Sequence, residues 1–272
     1  MDVAATAHAR DLEERGFAWR ERGDGELVVL LHGLGGSRVA WDTQLAALGS
    51  TWRTAAWDMP GYGAAAPLPD HPLTFRALAD AAAGWIAQLG AERAHVVGIS
   101  MGGMVAQYLA AWHPKCVRSL SLLSSSPKFG MDGTTAERWR AVRLRPLDDG
   151  WEPVEFAERV LRNIAGPNIA EVAFESQRSA MARVTGGALR RSIDCIVTHD
   201  TTALLATITA PTLVMVGALD QETPLPYSRY LVDHLPDARL AVVPGVGHLL
   251  NAEAPEQVNR LLAAHLTTVE AS

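Results

Sequence analysis

Short apolar segments of strand length alternate with helical segments along most of this 272-residue chain. Such an alternation predicts a parallel or mixed sheet that is covered by helices on both faces. The predicted strands are residues 17–22, 26–31, 53–57, 94–99, 117–123, 212–217 and 239–243. The predicted fold class is therefore α/β, with a mostly parallel twisted sheet.

The alternation is interrupted once, between residue 124 and about residue 205. This stretch has little strand-like sequence but contains helix candidates at 135–143, 153–164 and 169–181. Its pattern is too regular for a linker, and it holds no repeat or low-complexity tract. We expect a helical cap at residues 125–205, inserted into a core made of residues 1–124 and 206–272.

One serine lies where a buried strand gives way to an apolar helix. The pattern Gly-x-Ser-x-Gly places Ser100 between Gly98 and Gly102. A serine on such a sharp turn has its hydroxyl exposed above the sheet, and its crowded backbone needs small neighbours. The helix that begins near Met101 also directs its N-terminal N–H groups at this spot. The pattern alone is equally typical of a surface Gly/Ser turn, so the assignment depends on the partners of Ser100.

A serine hydroxyl becomes an effective nucleophile only when a base accepts its proton and an acid orients that base. Asp220 and His248 each lie in a loop just past the end of a predicted strand. Functional groups of open α/β sheets gather at these carboxyl ends. Taken singly, Asp220 could be a turn residue and His248 a loop histidine. Their joint occurrence, in this order behind Ser100, predicts a Ser–His–Asp triad.

Acyl transfer also needs two N–H donors for the oxyanion that develops on the substrate. Met101, the residue after the nucleophile, is expected to supply one donor. The loop His32-Gly33-Leu34-Gly35-Gly36 follows the first inner strand, and Leu34 is expected to supply the second. A phosphate-binding loop is the alternative for this segment, but the Gly-x-Gly-x-x-Gly spacing and a following Lys-Ser/Thr pair are missing.

Composition and charge narrow the function classes. The formal net charge is −6 and no Lys/Arg block occurs, so neither nucleic acid nor a membrane surface is expected as a partner. No apolar run approaches the ~20 residues of a membrane span, and residues 1–15 lack the apolar core of a secretory signal. Cys116 and Cys195 are expected to be buried hydrophobic side chains. We expect a cytoplasmic protein without metal or cofactor, monomeric or homodimeric, that acts on a small molecule.

In order and spacing, these motifs resemble those of the α/β-hydrolase-fold enzymes over nearly the whole chain. The matching segments are residues 32–36, 58–63, 98–103, 217–220 with 223–224, and 247–248. The resemblance implies an eight-stranded sheet with an inserted cap, and it makes Asp58 a loop anchor rather than the catalytic acid. Within the superfamily, segments 137–150 and 247–255 resemble 3-oxoadipate enol-lactonases and small carboxylesterases.

Two tryptophans of the predicted cap, Trp139 and Trp151, are candidates for substrate binding, together with Gly33 of the first loop. In one interpretation they line the pocket, and a nearby arginine such as Arg143 pairs with a substrate carboxylate. In the alternative, the tryptophans pack the cap onto the core and the arginines are solvated. The sequence leaves both interpretations open.

The sequence therefore predicts a serine hydrolase that cleaves an ester or lactone bond of a small organic substrate. Ser100 would form the acyl-enzyme, with His248 as its base and Asp220 orienting that base. Two alternatives remain. The same triad could hydrolyse carbon–carbon bonds or serve a non-hydrolytic biosynthetic step, or the chain could be a catalytically silent ligand receptor. Cap contacts decide which leaving group fits, and the sequence pattern does not identify the substrate.

Overall fold

An eight-stranded sheet forms the centre of the computed structural model, which describes residues 8–69 and 72–272. Its strands are β1 (Arg10–Glu14), β2 (Phe17–Arg22), β3 (Leu27–Leu31), β4 (Arg53–Asp58), β5 (Ala94–Ile99), β6 (Val117–Leu123), β7 (Thr212–Gly217) and β8 (Ala238–Val243). Their spatial order is β1-β2-β4-β3-β5-β6-β7-β8. The pairings of β2 with β1 and β4 are antiparallel and all others are parallel. The predicted mostly parallel, eight-stranded sheet is confirmed.

Helices cover both faces of this sheet. They are α1 (Asp42–Leu48), α2 (Phe75–Gln88), α3 (Met101–Trp112), α4 (Ala136–Asp148), α5 (Pro153–Ile164), α6 (Glu171–Met181), α7 (Gly186–Ile196), α8 (Leu225–His234), α9 (Leu250–Glu253) and α10 (Pro255–Glu270). One buried cluster contains Trp57 stacked on Trp85, with ring centroids 5.8 Å apart. The other contains Trp41 and Leu262. Because β3 lies between them, all five of its residues are buried, which explains its uninterrupted apolar sequence.

Helices α4 to α7 all lie between β6 and β7, in the stretch predicted to be a cap. The two ends of this stretch run side by side, because Phe129 N donates to His199 O at 2.9 Å and Thr201 N donates to Pro127 O at 2.8 Å. We refer to residues 125–205 as the cap segment, and these limits stay a prediction. Among the described residues, every helix is too short or too polar to cross a bilayer.

Strand β1 and helices α7 and α9 are not among the elements that the sequence predicts. Strand β1 was not expected, because its charged sequence and mostly exposed side chains hide the apolar alternation of a strand. Helix α7 was not expected, because it begins with two glycines of low helix propensity. Thr185 compensates by accepting a hydrogen bond from Ala188 N. Residues 1–7, where the expectation about a secretory signal begins, lie outside the described residues.

Candidate active site

Ser100 has a strained backbone at the junction of β5 and α3, with φ 53° and ψ −120°. Such a conformation costs roughly 1–3 kcal/mol in a residue other than glycine, and it collects at functional sites. The flanking glycines are required by crowding. A Cβ on Gly98 would lie 2.3 Å from Gly102 O, and a Cβ on Gly102 would lie 2.0 Å from Leu31 O. The turn therefore presents Ser100 at the edge of the sheet, where it lines a cavity.

The side chains of Ser100, His248 and Asp220 form one chain of hydrogen bonds. Ser100 Oγ lies 3.0 Å from His248 Nε2, and His248 Nδ1 lies 3.0 Å from each carboxylate oxygen of Asp220. With its proton on Nδ1, the imidazole donates to Asp220 and leaves Nε2 to accept the serine proton. The three residues follow β5, β8 and β7, so the carboxyl edge of the sheet brings them together.

Asp220 is held in place by its own loop. Its Oδ1 accepts hydrogen bonds from Glu222 N at 2.9 Å and Thr223 N at 3.0 Å, and its Oδ2 accepts one from Thr223 Oγ1 at 2.9 Å. The carboxylate is buried, so these donors replace the water that it loses on folding. The loop therefore holds Asp220 in place through hydrogen bonds that do not involve His248.

The electrostatics of this pair favour a basic imidazole. Burial by itself would lower the pKa of His248, but attraction to Asp220 and the hydrogen bond between them outweigh burial and hold that pKa above its ordinary value. Burial would likewise raise the pKa of Asp220, but His248 and Thr223 bring it below its usual value. Asp220 therefore remains a carboxylate at neutral pH. The raised pKa makes His248 a stronger proton acceptor.

The loop after β3 brings backbone N–H groups beside Ser100. Gly36 N donates to Gly33 O at 3.0 Å and closes a tight turn. A Cβ on Gly33 would lie 3.1 Å from the Cβ of Ser100, so a glycine permits this approach. Leu34 occupies the second position of the turn and lines the same cavity as Ser100. Met101 begins α3, where the first N–H groups have no acceptor inside the helix.

His32 supports this turn from behind. Its Nε2 accepts a hydrogen bond from Met59 N at 2.9 Å, so its proton is on Nδ1, which donates to Gly33 O at 2.8 Å. Burial lowers the pKa of His32 and keeps the ring neutral. The ring also stacks on Tyr62, with centroids 5.4 Å apart. The sequence motif included His32 without indicating this role.

Ser100 and His248 line a cavity of about 810 Å³, a size that suits a small organic molecule. Most of its remaining wall comes from the cap segment. The apolar part of the wall includes Phe129, Trp139, Phe156, Leu161, Met181 and Ile193. The charged part includes Lys128, Asp132, Arg143, Arg159 and Glu222. The cavity thus combines an apolar interior with a few charged groups.

The three residues expected to bind substrate, Gly33, Trp139 and Trp151, all line this cavity. Trp139 is partly buried and packs edge-on against Phe129, with ring centroids 5.5 Å apart. Trp151 is 47% exposed. Arg143 lies over the Trp139 ring, 5.4 Å from its centroid, so a cation borders the aromatic wall. Substrate binding by these residues stays a prediction.

Other residues singled out in the sequence have structural roles. The buried carboxylate of Asp58 accepts hydrogen bonds from Arg38 N, Ala64 N and Arg183 Nη2, which confirms it as a loop anchor. Burial raises the pKa of the Cys195 thiol to about 12 and also raises that of Cys116. Both thiols are therefore protonated at neutral pH. Within residues 8–69 and 72–272, His, Cys, Asp and Glu side chains form no cluster suited to a metal ion.

The sequence did not single out two further carboxylates. Glu222 faces the cavity and pairs with Arg143 across it. Glu253 accepts hydrogen bonds from the loop that carries His248. The sequence gives little indication of either role. Glu222 is recognisable only by its position two residues after Asp220, and Glu253 only by its position five residues after His248.

A sheet of this topology, with a serine turn and two loops that face it, defines a known class of protein. The family model of the alpha/beta hydrolase family matches residues 28–261. The chain therefore belongs to the alpha/beta hydrolase family, and the predicted fold class is confirmed.

Named relatives support a hydrolase. The chain is 30% identical over 253 residues to a putative carbamate hydrolase, RutD, of Yersinia enterocolitica, an overlap that covers 88% of this chain and 86% of the relative. It is 31% identical over 256 residues to a pimeloyl–acyl-carrier protein methyl ester esterase of Chromobacterium violaceum, covering 90% and 96%. The enol-lactonase from Burkholderia xenovorans LB400 shares the fold, with a TM-score of 0.77 at 23% identity, covering 95% of this chain and 100% of that one.

Proposed function

We propose that this protein is a serine hydrolase that cleaves the ester or lactone bond of a small organic substrate. The observation that carries the proposal is the hydrogen-bonded series from Ser100 through His248 to Asp220, which opens onto a cavity of about 810 Å³. Membership of the alpha/beta hydrolase family supports it. The proposed reaction needs no metal or cofactor. Its placement in the cytoplasm and its monomeric or homodimeric state remain predictions.

The first half of the proposed reaction acylates the serine. Ser100 Oγ attacks the carbonyl carbon while His248 Nε2 takes its proton, and Asp220 stabilises the imidazolium that forms. The N–H groups of Leu34 and Met101 donate to the oxyanion. Losing one such donor typically costs about 10²–10³ in rate. The tetrahedral intermediate collapses when His248 returns the proton to the leaving oxygen, which departs as an alcohol or, from a lactone, stays on the acyl chain.

The second half releases the acid. Water loses a proton to His248 and attacks the acyl carbonyl, and the same two N–H groups hold the second oxyanion. The bond to Ser100 Oγ then breaks, and the serine oxygen recovers its proton from His248. The net change is one ester and one water converted to one acid and one hydroxyl compound. Each group thus returns to its starting state.

The cavity wall suggests which substrates to test. Its apolar part suits a hydrocarbon acyl chain, and Arg143 and Arg159 suit an anionic substituent. The relatives' names add two substrate classes, a carbamate and a methyl ester carried on acyl-carrier protein. Both contain a carbonyl group that a serine nucleophile can attack.

A substrate panel tests the proposal. Simple carboxylic esters, dicarboxylic acid monomethyl esters, an enol-lactone, a carbamate and a vinylogous diketone are compared on the wild type and on Ser100→Ala. We expect ester or lactone turnover that disappears in Ser100→Ala, while circular dichroism shows an unchanged fold. A fluorophosphonate should label the wild type and spare the variant.

Three results would contradict the proposal. Undiminished ester hydrolysis by Ser100→Ala would show that Ser100 is not the nucleophile. A preference for the diketone over every ester would favour carbon–carbon hydrolysis by the same residues. Labelling of Ser100 without turnover of any ester, lactone or carbamate would favour a silent ligand receptor.

A further inference from the structure

The carboxylate of Glu253 holds the loop that carries the proposed base. Its Oε2 accepts a hydrogen bond from Gly247 N at 2.8 Å, and its Oε1 accepts one from Leu249 N at 3.0 Å. These are the residues immediately before and after His248. Glu253 ends the one-turn helix α9, whose curvature brings its side chain back to the start of the loop. One carboxylate therefore binds the backbone on both sides of His248.

The same carboxylate reaches the cap segment. Oε2 of Glu253 also accepts a hydrogen bond from Gly166 N at 2.8 Å, in the stretch that follows α5. Beside it, the amide of His248 itself donates to Ile164 O at 2.9 Å. Three consecutive amides of the histidine loop are thus bound, two by Glu253 and one by the cap segment.

Backbone contact at this junction leaves no space for side chains. A Cβ on Gly247 would lie 2.4 Å from Gly166 N, and a Cβ on Gly166 would lie 2.4 Å from Glu253 Oε2. Both distances are far below a van der Waals contact. Because Gly166 and Gly247 lack side chains, the backbones of the cap segment and the histidine loop approach each other closely. The carboxylate of Glu253 accepts hydrogen bonds from the amides of both glycines.

This arrangement divides the task of aligning His248 between two carboxylates. Asp220 orients the imidazole ring through Nδ1, while Glu253 fixes the backbone from which the ring extends. Hydrogen bonds to a charged acceptor are about twice as strong as neutral ones, so three of them make a firm anchor. Alignment matters because a displacement of about 1 Å at a reacting group can cost about 10²-fold in rate.

We propose that Glu253 is a positioning residue, which aligns His248 with Ser100 by binding both flanking amides and ties that alignment to residues 164–166 of the cap segment. The proposal rests on the proposed serine hydrolase function and deepens it. Glu253 does not touch substrate in this scheme and acts only through His248. Its removal should therefore reduce kcat more than it changes KM.

The experiment compares Glu253→Ala and Glu253→Gln with Glu256→Ala, which removes an exposed glutamate from the first turn of α10. For each variant, kcat and KM are measured on the best ester of the panel, and the downfield proton shared by His248 Nδ1 and Asp220 is observed by NMR. We expect kcat of Glu253→Ala to fall on the order of 10- to 100-fold, with a broadened or missing Nδ1 resonance. Glu256→Ala should match the wild type.

Glu253→Gln should be intermediate, because its amide oxygen can still accept from Gly166 and Gly247 while its NH₂ group faces Leu249 N without accepting. Gly166→Ala tests the cap side, since its Cβ would displace Glu253 Oε2. We expect it to lower kcat, and the double variant with Glu253→Ala to lose little more than either alone. Glu253→Gln and Gly166→Ala each test the proposal on their own if Glu253→Ala does not fold.

The inference is overturned if folded Glu253→Ala keeps wild-type kcat and an intact Nδ1 resonance, even if its melting temperature falls. A purely structural role would give that combination. Absence of turnover in the wild type would instead defeat the proposed function. The NMR comparison would then still report whether Glu253 aligns His248, so the two failures are distinguishable.

Discussion

Arg143 Nη2 lies 2.5 Å from Glu222 Oε2, an ion pair that joins helix α4 of the cap segment to the loop that carries Asp220. The two side chains are 25% and 32% exposed, so the attraction between them contributes only about 0–1 kcal/mol to stability. Their effect on the base is more informative. Among the charges around His248, Glu222 raises its pKa and Arg143 lowers it.

The first prediction concerns the acidic limb of the pH–rate profile. Because the pKa of His248 is held above its ordinary value of about 6.5, Nε2 is protonated below that raised pKa and cannot accept the serine proton. We expect kcat/KM to decline as pH falls through a midpoint above about 6.5. A profile that stays flat from about pH 5 to 8 would contradict this assignment of the base.

The second prediction separates the two charges that face His248. Arg143→Met removes the group that lowers the pKa of His248, so the midpoint should move to higher pH. Glu222→Gln removes a group that raises it, so the midpoint should move to lower pH. Arg140→Met is the matched control, because Arg140 pairs with Asp194 instead. Shifts of the same sign, or an equal shift in the control, would show that the ion pair does not set this pKa.

The third prediction concerns the strain at Ser100. Glycine adopts a positive φ without steric cost, whereas alanine does not. Relief of the strain exceeds the entropy that glycine adds to the unfolded chain, so Ser100→Gly should be more stable than Ser100→Ala by about 1 kcal/mol. Urea unfolding measures the difference. As a control, Ala87→Gly in α2 should lose about 1 kcal/mol, and a less stable Ser100→Gly would mean that the turn is not strained.

The fourth prediction concerns the buried anchor Asp58. Its carboxylate lies 3.6 Å from the guanidinium of Arg38, whose side chain is only 5% exposed. Asp58→Ala should destabilise the protein by roughly 3–5 kcal/mol, because the buried guanidinium of Arg38 then keeps only Asp11 and Glu13, whose side chains are 44% and 62% exposed. Arg183→Ala removes a second partner of Asp58 that is 32% exposed. Unfolding in denaturant should show a clearly smaller loss for Arg183→Ala, and the reverse order would be inconsistent with this account.

The fifth prediction concerns acid stability and His199. Burial lowers the pKa of this histidine to about 4, and its Nε2 donates to Ser126 O at 2.8 Å. A lowered folded-state pKa means that stability present above about pH 6.5 is lost as pH falls toward 4. The full difference amounts to about 3 kcal/mol.

His199→Gln tests this prediction, because glutamine can donate to Ser126 O but does not gain a charge. The free energy of unfolding is measured between pH 7 and pH 4 for both proteins. The variant should lose less stability over that interval. His95, whose pKa burial also lowers to about 4, contributes equally to both proteins and cancels. Identical pH dependence in the two proteins would refute the role of His199.

The sequence predicts the sheet, and it places Ser100, Asp220 and His248 just past strand ends, because both features follow local patterns. Parallel strands end at one edge, so residues that follow β5, β7 and β8 lie along the same edge of the sheet. The contact between Arg143 and Glu222 joins residues far apart in the chain, and it depends on how the cap segment packs on the core. The same holds for Glu253 and Gly166. Such contacts are set by tertiary packing and leave no periodic pattern in the sequence.

The absence of a side chain at Gly102 has a consequence for how such a protein can evolve by amino-acid substitution. A Cβ at this position would lie 2.0 Å from Leu31 O, so helix α3 packs directly against the end of strand β3. The serine and the turn around Leu34 extend from the ends of strands β5 and β3, which belong to the sheet. Substitutions in the cap segment away from Ser125, which donates to Ser100 O, and away from residues 164–166 can therefore alter which molecules are accepted while the reacting centre keeps its geometry. New substrate preferences can thus arise in this scaffold without rebuilding its chemistry.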